Sequence, residues 1–264
     1  MRIKSIKITT SYPTEKIDPT VDLYLFNEDC QLVCEEHTGL VVEHHYLPDG
    51  NEYETIKRSA DRDASRTVYD YDDDGDLLAD YEKDKYGSIL SRTYYDWIKP
   101  GRVRSTCVVF YKSDGSYEEP FCWREYFDRE GHIVFTRGYG WSEIRKIGAK
   151  GHLLLSEVSL YSDKNPTAPP TVVRKYSEDG LLMEQIEADG EIGRMMYDFD
   201  QYGNWIRMTG RIDGEPISII KERVIEYAPG IWDCRCLSEK LFTLDCHYAE
   251  REWTHLCPDP RTRQ

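Results

Sequence analysis

Phe199-Asp200-Gln201-Tyr202-Gly203-Asn204-Trp205 places an aromatic residue four positions before a glycine and an apolar residue two positions after it. The same frame recurs at Tyr71-DDD-Gly75-D-Leu77, Phe127-DRE-Gly131-H-Ile133, Tyr176-SED-Gly180-L-Leu182 and Tyr111-KSD-Gly115-S-Tyr117. Ile147-GAK-Gly151-H-Leu153 and Ile186-EAD-Gly190-E-Ile192 keep it with an aliphatic residue in the aromatic slot. Tyr46-LPD-Gly50 keeps the first half, Phe26-NED-Cys30-Q-Leu32 has Cys in place of Gly, and the Gly87 unit has Lys83 in the aromatic slot. A type I turn favours Asp, Asn or Ser at its first position and Gly at its fourth. Followed by a left-handed Gly, such a turn closes a three-residue hairpin loop with a bulge. That geometry sets Tyr71 opposite Leu77, Phe127 opposite Ile133 and Phe199 opposite Trp205, cross-strand pairs worth about 0.2–1 kcal/mol each. About ten such units predict a stack of β-hairpins.

The rest of the chain agrees with this. Ile6 and Ile8 alternate with Lys7, and Val21, Leu23 and Leu25 alternate with Asp22 and Tyr24. Residues 104–111 and 171–176 are rich in β-branched and aromatic residues, as strands are. The expected fold class is all-β: a curved or twisted antiparallel meander of repeated β-hairpins with a small C-terminal cap. The hairpin domain is expected over 1–230, with the Pro-rich stretch 162–171 as one long loop inside a continuous sheet. Residues 231–264 form the cap segment, where Ser238, Leu241, Leu244 and Tyr248 have a helix-like spacing.

Composition narrows the function. Among 264 residues there are 49 Asp plus Glu against 34 Lys plus Arg, a formal charge of −15, with 20 Tyr and only 8 Ala. Low Ala argues against a helical domain. The acidic balance excludes a nucleic-acid footprint, and no run of 18 apolar residues marks a membrane helix. The first residues hold no apolar stretch of the kind a secretory signal needs. A cytoplasmic protein with reduced thiols is therefore expected, without disulfides.

Tyr197-Asp198-Phe199-Asp200-Gln201-Tyr202-Gly203-Asn204-Trp205 resembles the tyrosine–aspartate (YD) repeat of Rhs-type bacterial proteins, and Tyr69-Asp70-Tyr71-Asp72-Asp73-Asp74-Gly75-Asp76-Leu77 matches it with Asp after the glycine. The looser units are similar to MORN-like repeats of bacterial antitoxin and immunity proteins. The resemblance spans roughly residues 24–215. It implies either a non-catalytic immunity protein that binds and neutralises a basic toxin, or a structural Rhs-type repeat module of a secretion or surface assembly.

Ten acidic and three basic residues lie between Asp61 and Asp84. This stretch is the expected docking patch for a basic protein partner, formed by Asp70, Asp72, Asp73, Asp74, Asp76 and Asp80 with Tyr81 and Trp97 as aromatic anchors. Asp70 to Leu77 also has the Asp and Gly positions of a calcium loop, but Tyr81 stands where the closing Glu belongs, so the repeat turn is the preferred reading. Cys234, Cys236, Cys246, His247, His255 and Cys257 match no zinc spacing. No nucleophile, phosphate-loop or metalloprotease motif occurs, so no enzyme activity, metal or cofactor is expected.

Overall fold

The computed structural model describes residues 2–59, 64–160 and 169–228. These form 18 strands: β1 (Arg2–Ser11), β2 (Thr20–Phe26), β3 (Leu32–His37), β4 (Leu40–Tyr46), β5 (Glu52–Ser59) and β6 (Ser65–Tyr71). They continue as β7 (Leu77–Lys83), β8 (Ile89–Lys99), β9 (Val103–Phe110), β10 (Phe121–Phe127), β11 (Ile133–Gly138) and β12 (Trp141–Ile147). The last six are β13 (Leu153–Leu160), β14 (Val172–Tyr176), β15 (Leu182–Glu187), β16 (Ile192–Phe199), β17 (Trp205–Ile212) and β18 (Ile217–Ala228). Each strand pairs antiparallel with its sequence neighbours. The all-β meander is thus present, and β13 pairs with β14 on either side of the Pro-rich stretch.

The expected open curve is corrected. β1 pairs with β18 from Arg2↔Ala228 to Ser11↔Ile220, so the sheet closes into a barrel. Strand twist accumulates in one direction, and closure gives the two end strands the partners that an open sheet would leave missing. Eighteen strands spaced about 4.8 Å apart and tilted about 40° enclose a barrel roughly 35 Å across, too wide for opposite walls to touch. The C-terminal cap segment lies outside the described residues.

Closure divides the repeat into two sets. Both ends of the sheet, Arg2 and Ala228, lie at one rim, here called proximal. The turns centred on Cys30, Gly50, Gly75, Gly101, Gly131, Gly151, Gly180 and Gly203 share that rim, whereas those at Gly87, Gly115 and Gly190 lie at the distal rim. The expected pairs occur, each at a bulge: Tyr71↔Leu77, Phe127↔Ile133 and Phe199↔Trp205. The Asp at the first turn position has a local cause, because its carboxylate caps two amides of the loop. Asp72 Oδ1 accepts from the Asp74 and Asp76 N–H at 3.0 and 2.8 Å, and Asp200 Oδ1 does the same for Tyr202 and Asn204. Tyrosines then latch one hairpin to the one before it. Tyr46 donates to the Leu32 carbonyl and Tyr71 to the Glu52 carbonyl, both at 2.7 Å.

Gly75 has φ +85°, and Cys30 occupies the same left-handed region at φ 60° despite its side chain. A non-Gly residue there costs about 1–2 kcal/mol. Gly75→Ala should lower stability by about that much in urea denaturation. Cys30→Gly should change it by less than about 1 kcal/mol, because relief of backbone strain is offset by lost contact with the Ile3, Ile6, Tyr24 and Phe26 cluster and by a more flexible unfolded chain. An equal loss from both substitutions would contradict the turn assignment.

The inner wall is the more buried face, and polar side chains line much of it. Thr10, Thr55, Thr106, Thr136, Ser156, Glu143 and Gln185 are among its most buried residues. Aliphatic packing concentrates beside the closure seam, around Ile3, Ile6, Tyr24 and Phe26, and around Leu182 and Met195.

Candidate functional site

A polar girdle runs along the inner wall. It starts at Asp22 on β2, whose carboxylate receives His37 Nδ1 at 2.8 Å. His37 Nε2 and His44 Nε2 both donate to Glu35, at 3.0 and 2.9 Å, and His44 Nδ1 reaches Glu52 at 2.5 Å. Thr55 donates to Glu52 at 2.7 Å and lies 3.1 Å from the Tyr69 hydroxyl. Strand alternation places these groups together: His37, Glu35, His44 and Thr55 occupy inward positions of three consecutive strands.

Hydrogen bonds to Asp22 and Glu35 raise His37 to about 9, against the effect of burial. Burial also opposes charge on His44, but its bonds to Glu35 and Glu52 outweigh it and bring that imidazole to about 9 as well. Burial alone would raise Glu35; the two imidazolium donors instead hold it down at about 2. Both nitrogens of each ring are engaged by carboxylates. Neither ring offers a lone pair to a metal or a substrate proton, so the row of three carboxylates and two imidazolium rings is arranged as a structural clamp rather than a general base. Among the described residues no group of three or more His, Cys, Asp or Glu is placed to hold a metal ion.

The girdle continues with Asp80, which accepts from Tyr95 at 2.7 Å and Thr93 at 3.1 Å. Glu125 then receives Arg104 at 2.8 Å and Thr106 at 3.1 Å, and Glu143 receives Ser156 at 2.6 Å. Each buried carboxylate thus has a hydroxyl or cationic donor, as burial of charge requires.

The structure distributes the eight sequence-predicted patch residues over three places. Asp72, Asp73, Asp74 and Asp76 sit in the proximal turn between β6 and β7. Asp70 and Tyr81 face outward, where Tyr81 stacks on Arg92 at 4.5 Å. Asp80 and Trp97 face inward, Trp97 lying 5.1 Å from Phe127. The Asp72 carboxylate is spent on turn amides, as in the acid-poor turns of the same frame, so the loop is built as a repeat turn. The C-terminal Cys and His candidates lie outside the described residues.

The turn cluster gains partners that its sequence neighbourhood does not contain. The turns at 27–31 and 47–51 adjoin it along the proximal rim: Gln31 donates to the Gly50 carbonyl at 3.3 Å, and the Asn51 side chain lies against Gly75. Together the three turns carry Glu28, Asp29, Asp49, Asp72, Asp73, Asp74 and Asp76, with no Lys or Arg. All except Asp72 are exposed. Elsewhere on this rim acids are balanced locally, as where Lys150 meets Asp179 at 2.8 Å across two turns. The spacing of 20–25 residues between glycine slots was the signal that could have joined Asp29 and Asp49 to the patch.

No family model and no curated protein matches this chain. Among solved structures, a porin-like protein from Bacteroides vulgatus ATCC 8482 aligns at 12% identity and a TM-score of 0.35, covering 86% of this chain and 100% of that one. A porin-like protein from Bacteroides uniformis ATCC 8492 aligns at 10% identity and a TM-score of 0.33, over 85% and 96%. The Photorhabdus luminescens Tc holotoxin pore aligns at 12% identity and a TM-score of 0.34, over 75% of this chain and 10% of that one.

Proposed function

We propose that this chain is a non-catalytic protein-binding barrel whose acidic proximal arc docks a basic partner, in the manner of an immunity protein neutralising a toxin. The observation carrying this reading is the convergence of seven carboxylates from three neighbouring turns that themselves contain no Lys or Arg. An arc of one sign speeds encounter with an oppositely charged protein and rejects like-charged ones. Closure favours this reading over a structural Rhs-type module, because β1 and β18, the first and last described strands, pair with each other rather than offering an edge to a larger shell. The outer face supports water on the outside: Glu43, Arg58, Arg66, Arg92, Arg124, Glu157, Arg194 and Glu222 all point outward from strands. Lys or Arg facing lipid at mid-membrane costs about 2–4 kcal/mol each.

The test is binding to the product of the neighbouring gene, measured by surface plasmon resonance at two salt concentrations, with rescue of growth on co-expression. A stable complex is expected. The Glu28→Lys, Asp29→Lys, Asp73→Lys, Asp74→Lys variant should slow association by about 10²-fold at low salt. Asp72 and Asp49 are left intact because each accepts a backbone N–H of its own turn. Association that is indifferent to these four charges would place the interface elsewhere, and absence of any complex would overturn the reading.

A further inference from the structure

Contrary to the expectation of reduced thiols, Cys107 on β9 and Cys122 on β10 form a disulfide, their Cα atoms 4.1 Å apart. The two residues are directly opposed on the outer face of neighbouring strands. Strand alternation decides the pairing: the neighbours Thr106 and Trp123 are also opposed, but face inward. Cys122 is exposed, whereas Cys107 is half-buried, with the Ser105 hydroxyl 3.9 Å from its sulfur.

The disulfide opens into a shallow depression that it shares with Ser105, Arg124, Tyr126 and Arg137. Arg124 is two residues from Cys122 on the same face of β10, and it is paired directly with Arg137 on β11. Two adjacent guanidiniums beside an accessible sulfur make a setting that favours an anion.

We infer that Cys107–Cys122 is an exchange site for a small thiol carrying carboxylate groups, held by Arg124 and Arg137 while it attacks Cys122. The incoming thiolate supplies an electron pair to the Cys122 sulfur. A new sulfur–sulfur bond forms there, the Cys107–Cys122 bond breaks, and Cys107 leaves as a thiolate beside the Ser105 hydroxyl. A second thiolate of the same kind attacks the mixed disulfide. It departs as the oxidised small-molecule disulfide and leaves both cysteines reduced. The two thiols are the reductant, so electrons and protons balance. The greater exposure of Cys122 than of Cys107 sets the direction of attack.

The full-length folded protein is treated with glutathione, 2-mercaptoethanol or cysteamine, which are anionic, neutral and cationic beside the thiol. Adducts are followed by intact mass and peptide mapping, and rates are expressed per thiolate. At low ionic strength glutathione should react about tenfold faster than cysteamine, with the adduct on Cys122. Arg124→Gln with Arg137→Gln should abolish that preference, and Arg124→Lys with Arg137→Lys should retain most of it. Circular dichroism of each variant separates loss of charge from loss of fold, and the lysine variant carries the test if the glutamine one is unfolded. Equal rates for the three thiols, an adduct on Cys107, or alkylation of both Cys107 and Cys122 before treatment would each overturn the inference.

Discussion

Glu35→Ala should cost about 3 kcal/mol at pH 6 in urea denaturation, because it removes the carboxylate that joins two buried imidazolium rings. In the wild type Glu35 receives His37 and His44 at 3.0 and 2.9 Å, with all three side chains 16% exposed or less. After substitution each ring keeps one carboxylate, Asp22 or Glu52, so the loss falls at the low end of that for a broken buried pair. Glu35→Gln keeps an acceptor for one ring and should lose less.

The pH dependence has a fixed sign on each side. His37 and His44 titrate near 9 in the fold against 6.5 in the unfolded chain. Their contribution is complete below about pH 6.5 and is lost as pH rises to 9, because the folded state then holds more protons. Glu35 is lowered from 4.5 to about 2, so its contribution is complete above about pH 4.5 and is lost as pH falls toward 2. The difference in stability between wild type and Glu35→Ala should therefore be greatest between about pH 4.5 and 6.5 and shrink on either side. A difference that stays constant from pH 3 to 9 would show that the rings are not held charged by Glu35.

Trp205→Ala should cost about 3–5 kcal/mol, the range for a large buried aromatic. Trp205 is 6% exposed at the bulge where it meets Phe199. The Arg223 guanidinium, itself buried, lies 3.7 Å from its ring centre, and Tyr197 meets it edge-on at 6.1 Å. Removal leaves a cavity and strips a buried cation of the ring that covers it. Because β18 also carries the closing pair with β1, the loss should appear as cooperative unfolding in calorimetry rather than local fraying. Trp205→Phe should retain most of the stability. A Trp205→Ala melting temperature within about 2 °C of wild type would rule out this ring as a core element.

Most of the secondary structure was legible in local chemistry. The bulged loops followed from Asp at the first position and Gly at the fourth, and the expected strands at 104–111 and 171–176 appear as β9 and β14. Cys30 even adopts the left-handed conformation of the glycine it replaces. The interior was read less well. The hairpin frame names the strand pairs but not what lines the interior, where His44 bonds Glu35, Thr55 bonds Glu52 and Ser156 bonds Glu143. Composition offered no hint of this, because a buried carboxylate with a donor and an exposed one look the same in sequence. Of the residues expected in the acidic patch, those of the 72–76 turn lie together, while Asp80 and Trp97 follow strand alternation to the inner wall.

What the sequence determined alone is the hairpin unit, because turn formation is decided within about five residues, by backbone conformation and by an Asp that caps its own loop. The tertiary structure decided which turns share a rim, that β1 meets β18, and that Glu28, Asp29 and Asp49 join Asp73, Asp74 and Asp76. Those outcomes depend on strand number and on twist summed around the whole barrel, and no local stretch of sequence carries that sum.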